Sequence, residues 1–175
     1  MKVDQSLYLS NLIANINTAK QTLPARKFEF AAEFPMSESA QLEIQTDMGI
    51  LSEIEHGIYI IRFAQPEKVE VSQVRRLLIE YKSNKERSCP KINKNTSPVI
   101  YVGSSTTGLV KRLSQHFGFG PSKTYALHLQ HWFKGFVSID VLDYPDTTRP
   151  VLQLVEDAIS SELMPMFGKQ GGNSK

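Results

Sequence analysis

Cysteine is nearly absent from this chain of 175 residues, with Cys89 standing alone. An intramolecular disulfide is therefore impossible, and a cysteine-built zinc site is excluded. No apolar run is long enough to span a bilayer, and Met1-Lys2-Val3-Asp4-Gln5 leads into no apolar signal-peptide core. With the single thiol, these features point to the cytoplasm. No internal repeat and no low-complexity tract is found. Net charge is almost missing as well, at +2. What is present is a 41% hydrophobic content, which suits one globular domain with a core and some extensions rather than a disordered chain.

The small net charge hides an uneven distribution. Residues 1–60 hold four Lys/Arg against eight Asp/Glu, and residues 61–175 hold sixteen against ten. The window 75–94 is the most basic. It carries Arg75, Arg76, Lys82, Lys85, Arg87, Lys91 and Lys94 against Glu80 and Glu86. Such a stretch is either a solvated helix face and loop or an electrostatic footprint for a phosphate backbone.

Periodicity gives an element order. Leu7, Leu9, Leu12, Ile13 and Ile16 mark a helix over 5–22 that stops before Pro24. Residues 27–34 alternate weakly, as an extended segment would. Residues 37–55 suggest a short helix from Ser37 and a turn near Leu51. Gly57 to Phe63 is a β-prone run, 71–82 is helical, and 83–97 is a polar loop holding Pro90. Val99 to Gly103 is a second strand, followed by a helix to about Phe117 that Ser105, Thr106 or Thr107 could cap. A further helix is expected over 123–133, a third strand over 136–142, and a last helix over 150–163 with Thr148 as its cap. The fold expected is mixed α/β (α+β): a small central sheet of about three strands flanked by helices. Its domains are an N-terminal helical extension, 1–55, and a motif-bearing domain, 56–175, with an insert at 64–97.

Within that order a polar set stands out. Arg112 and His116 are four apart and share one helix face, beside an apolar stripe of Val110, Leu113 and Phe117. Arginine grips phosphate with a planar fork, and histidine moves protons near neutral pH. The same pair would also suit an ordinary amphipathic surface. Glu156 lies along the apolar stripe of Leu152, Val155, Ile159 and Leu163, so it must be paired, protonated or metal-bound. A single carboxylate suffices for Mg²⁺, which keeps several waters and takes substrate phosphate. Tyr59 and Tyr101 sit on the two strands. Each could simply pack, or serve as a base if a nearby cation lowers its pKa from about 10.

The sequence resembles the GIY-YIG nuclease family over about residues 56–173. The matching residues are Gly57-Ile58-Tyr59, Tyr101-Val102-Gly103, Arg112, His116 and Glu156, with Asn173 the nearest residue for the family's final Asn. The resemblance implies a GIY-YIG endonuclease fold and Mg²⁺- (or Mn²⁺-) dependent hydrolysis of DNA, leaving a 5′-phosphate and a 3′-hydroxyl. It implies a metal held by Glu156 and Tyr59 as the leading candidate for general base. Tyr101 would orient the attacking water, Arg112 would neutralise charge on the phosphate, and His116 would relay a proton or position the nucleophile. The family usually has a short connection between its two motif strands. Here 41 residues separate Tyr59 from Tyr101, as in restriction-type members that carry insertions.

Arg75, Arg76 and Lys123 join Asn173 as candidate DNA contacts, Lys123 and Thr124 at the start of the expected 123–133 helix. His128 and His131, three apart, have no evident third metal ligand. Trp132 and Phe133 suit a core or a stacked base. One active site needs two protomers or two encounters to cut both strands, so a homodimer is one expectation. The alternative function is a non-cleaving DNA-binding or interaction module on the same fold.

Overall fold

The apolar run Gly57–Phe63 becomes strand β2, buried on both faces, as a central strand must be. In the computed structural model, which describes residues 5–66 and 69–169, β2 lies between β3 (Val99–Ser105) and β4 (Gly135–Asp143), antiparallel to both. A fourth strand, β1 (Arg26–Phe34), pairs antiparallel with β4 along its whole length, from Arg26 opposite Asp143 to Phe34 opposite Gly135. The order is β1-β4-β2-β3. The sheet therefore has four strands where about three were expected, and the N-terminal extension is not purely helical. Its weakly alternating segment supplies an edge strand, turning Phe28, Phe30, Ala32 and Phe34 to the core and Lys27, Glu29 and Glu33 outward.

Helices cover both faces. The other helices are α1 (Gln5–Gln21), α2 (Glu38–Gly49), α3 (Val71–Ser83), α4 (Leu109–Phe117) and α5 (Arg149–Leu163). One face of β2, with Tyr59, Ile61 and Phe63, meets the larger core, which includes Met48, Leu78, Leu113 and Phe117. The other face, with Ile58 and Ile60, meets Leu152 and Val155 of α5, and α1 packs along α5 through residues such as Ala19. The short helix expected from Ser37 is α2, and the Ser37 side chain caps it by accepting from the Ala40 N–H. Among the described residues, no helix is long and apolar enough to cross a membrane.

Two expectations at 105–133 are corrected. Helix α4 begins after Gly108, at φ 141°, and no side chain caps it. The cap candidates Ser105, Thr106 and Thr107 instead line a cleft. The expected helix over 123–133 shrinks to one 3-10 turn, Leu129–His131, preceded by His128 in the left-handed region at φ 54°. Ala126, Leu127, Leu129 and Phe133 of that stretch are buried, but its backbone is used elsewhere, as where the Ala126 N–H donates to the Ser88 carbonyl.

The insert between β2 and β3 contains α3 as expected, and its returning loop fixes the chain that follows α5. The Asn93 N–H donates to the Met166 carbonyl, and the Gly168 N–H to the Lys91 carbonyl. The Met166 and Phe167 N–H groups donate to the Val99 and Ile100 carbonyls. Residues 166–168 thus cover the first half of the free edge of β3, and the half from Gly103 onward stays open.

Candidate active site

The site forms where the edge of the sheet is open. Tyr59 and Gly103 are directly opposed across β2 and β3, as are Ile58 and Ser104. Side chains alternate along a strand, so Tyr59 points to the α4 face while Ser104 points to α5. At the edge the two faces meet in a cleft of about 300 Å³. It is bordered by Tyr59 and Tyr101, by 103–107, by Arg112, and by Arg149, Gln153 and Glu156 of α5.

Gly103 is required by close approach. A Cβ there would stand 2.5 Å from the Tyr59 hydroxyl oxygen and 2.8 Å from Cε1 of Tyr101. The two phenol rings stack nearly parallel at 6.1 Å, and Tyr101 lies 4.4 Å from the His116 ring.

Helix α4 places its pair as the spacing predicts. Leu109, Leu113, His116 and Phe117 are buried, and left-handed Gly118 ends the helix. His116 is wholly buried, and both ring nitrogens are engaged. Nδ1 accepts the Leu127 N–H at 3.2 Å, and Nε2 lies 2.9 Å from the Tyr59 hydroxyl. An amide N–H can only donate, so Nδ1 carries the lone pair and the neutral ring holds its proton on Nε2, facing Tyr59. Burial, reinforced by the charge of Arg112, pushes the His116 pKa well below its usual value, which keeps the ring neutral.

Arg112 donates to Gln115 Oε1 and to the Tyr125 carbonyl, each at 2.9 Å. Burial works against its charge, but the two neighbouring phenols outweigh that and raise its pKa. Burial pushes the Tyr59 pKa well up and that of Tyr101 up, and the Arg112 charge opposes the rise at both.

Glu156 reaches the cleft from the other face. The Ser104 hydroxyl donates to its Oε2. Burial raises the Glu156 pKa, and the Ser104 bond and Arg112 partly offset this. Among the described residues Glu156 makes no ion pair, and no three His, Cys, Asp or Glu side chains cluster as a metal cage.

Tyr59, Tyr101, Arg112, His116 and Glu156 thus converge. Arg75 and Arg76 lie on α3 and do not line the cleft, and Lys123, with no helix behind it, lines a separate basic one. Asn173 falls outside the described residues. His128 and His131 each direct Nε2 to a backbone carbonyl, of Thr124 and Gly118. The Trp132 indole N–H donates to the Leu127 carbonyl, and Phe133 is core.

Sequence reasoning gave no role to Ser104, Arg149 or Gln153. The signal for the last two was helical spacing, since 149, 153 and 156 fall on one face of α5. Compared with known proteins, the chain matches no family model, no curated protein and no solved structure.

Proposed function

We propose that this protein is a metal-dependent DNA endonuclease built on the GIY-YIG fold. The observation that carries the reading is the shared cleft. Two phenols backed by a neutral histidine, a guanidinium and an unpaired carboxylate border one opening at the sheet edge. Packing alone gives no reason to gather them there.

The donor set fits a divalent ion. Glu156 is a partly buried carboxylate without a cationic partner, facing an open cleft beside the Ser104 hydroxyl. One carboxylate plus waters and substrate phosphate is an arrangement Mg²⁺ or Mn²⁺ accepts. When bound, such an ion would neutralise charge developing on the phosphate and acidify a coordinated water. Glu156 would hold it, and Ser104 would orient the carboxylate.

Arg112 would grip the phosphate. Two of its N–H groups are committed to Gln115 and Tyr125 and the fork also meets the Tyr59 and Tyr101 hydroxyls, so a non-bridging oxygen would enter beside the phenols. The Nε2–H of His116 donates to the Tyr59 oxygen, so the phenol's own proton must be directed to another acceptor. Hydroxide reaching the Tyr59 hydroxyl through the open cleft would take that proton as water, and the phenolate, held by the His116 N–H and the Arg112 charge, would then take a proton from the attacking water. Tyr101, stacked beside it, would orient that water. His116 is better described as a positioning residue than as a proton relay, because the ring is buried and both nitrogens are occupied.

The test is Mg²⁺-dependent nicking of plasmid DNA by the wild type, Tyr59→Phe and Glu156→Ala. Cleavage by the wild type alone, abolished by EDTA, is the expected result. Equal cleavage by Glu156→Ala would sink the metal assignment. Binding without cleavage by the wild type would favour the non-cleaving module.

A further inference from the structure

The basic window 75–94 does not present one face. Its later residues meet a different part of the chain. Lys82, Lys85 and Arg87, from the end of α3 and the turn after it, join Lys123 around a cleft of about 520 Å³, in which Glu86 is the one acidic lining residue. This cradle is built rather than incidental. The Ser88 N–H donates to the Ser122 carbonyl at 2.8 Å, the Ala126 N–H to the Ser88 carbonyl at 3.2 Å, and Arg87 Nη1 to the Gly120 carbonyl at 3.1 Å. These bonds fix the insert against the loop that follows α4.

Two further observations give the cradle a purpose. Lys85 stands at φ 57°, in the left-handed region where a residue with a long side chain is strained. That is the position just past the C-cap of α3, where glycine or asparagine usually stands and this chain has a lysine. The cradle also shares a residue with the candidate active site. Tyr125 lines it with an exposed ring and gives its carbonyl to Arg112. The guanidinium that faces the cleft and the four cations of the cradle are thereby held in a fixed relation.

We infer that the cradle of Lys82, Lys85, Arg87 and Lys123 binds a DNA backbone phosphate flanking the bond that is cut. This rests on the nuclease reading and extends it. The insert between the motif strands becomes a second phosphate grip, placed by Tyr125 beside the first.

The test measures binding of a short fluorescein-labelled DNA duplex by anisotropy across a series of NaCl concentrations in EDTA, with plasmid nicking in Mg²⁺ assayed in parallel. Lys85→Asn/Lys123→Gln removes two cradle charges, and Lys20→Gln/Lys134→Gln removes two exposed charges elsewhere. The cradle pair should lower the slope of log affinity against log salt by about 1, and affinity at moderate salt by about 10-fold, since each phosphate contact contributes ~0.9 to the slope. The control pair should leave the slope in place. Lys85→Asn alone should melt at or above the wild-type temperature, because asparagine tolerates the left-handed region. An unchanged slope in the cradle pair while the wild type still nicks DNA would overturn the cradle and leave the nuclease reading standing. Equal losses in both pairs would mean a net-charge effect, and a lowered melting temperature for Lys85→Asn would assign that residue to the fold; either overturns the inference. A wild type that neither binds nor nicks would overturn both readings.

Discussion

Gly103→Ala is the sharpest perturbation the site offers, because it adds one methyl group at a contact measured to a single atom. The new Cβ would lie 2.5 Å from the Tyr59 hydroxyl oxygen and 2.7 Å from Cζ. Carbon sits comfortably at about 3.5 Å from its neighbours, so the phenol must retreat by about 1 Å or the strands must part. Neither is easy. Tyr59 is buried, its hydroxyl is held at 2.9 Å by His116, and Tyr101 closes the other side at 2.8 Å from the added carbon. Overpacking of this kind costs about 1–3 kcal/mol, and stranding the buried Tyr59–His116 hydrogen bond adds about 1–2 kcal/mol. For a domain of this size that amounts to a fall in melting temperature of roughly 5–15 °C. Nicking, assayed well below the new melting temperature, should fall on the order of 10²-fold, the usual consequence of a 1 Å misplacement at a reacting group. A variant that melts within about 2 °C of the wild type and nicks at the wild-type rate would refute the argument that glycine is needed to seat the tyrosine.

Three other outcomes follow from the same geometry. Burial raises the folded-state pKa of Glu156, so its charge opposes folding, and stability is lost as pH rises through that pKa. Glu156→Gln should therefore melt above the wild type at neutral pH, with the gap closing in acid where the wild-type carboxyl is protonated, while nicking is lost; calorimetry across pH checks this. Ser104→Ala removes a bond that favours the carboxylate, so the acid limb of the pH–rate profile should move to higher pH, and a profile shifted only in height would deny Ser104 its orienting role. Tyr59, pushed up by burial, is protonated at neutral pH, so the wild-type rate should keep climbing into the alkaline range; a plateau from about neutral pH upward would remove Tyr59 as the base.

How far the sequence foretold this molecule depended on the range of the interactions involved. Strands β2, β3 and β4 and helices α1, α3 and α5 follow from local periodicity, and their bounds lie within a few residues of expectation. β1 alternates as well, but Ala31 on its outer face and the small Ala32 on its inner face weaken the pattern, and only pairing with β4 makes it a strand. The 123–133 segment has a helix-like apolar content, but its Ala126 and Leu127 N–H groups are drawn off to Ser88 and His116 and its Tyr125 carbonyl to Arg112, and His128 breaks the path at φ 54°. At the site, the spacing of Arg112 and His116 was legible because it is intrahelical. The bond from Ser104 to Glu156 joins residues 52 apart in sequence, and the squeeze of Gly103 against Tyr59 depends on strand register; neither leaves a local trace.

The strand order carries a consequence for how the chain reaches this state. β1 precedes β2 along the chain, yet the two never touch; β2 can pair with β3, but β1 and the other edge of β2 wait for β4, which lies about a hundred residues after β1 and fits between them. Until residue 143 has left the ribosome, both carry unpaired edges, and the cleft stays unfinished until α5 brings Glu156 and residues 166–168 close the edge of β3. A chain cut short just before β4 would hold β2 and β3 as a pair with one edge of β2 open, and β1 without a partner strand. On the nuclease reading proposed above, that ordering would also be protective, since the cleft is not assembled on a copy that lacks β4 and α5.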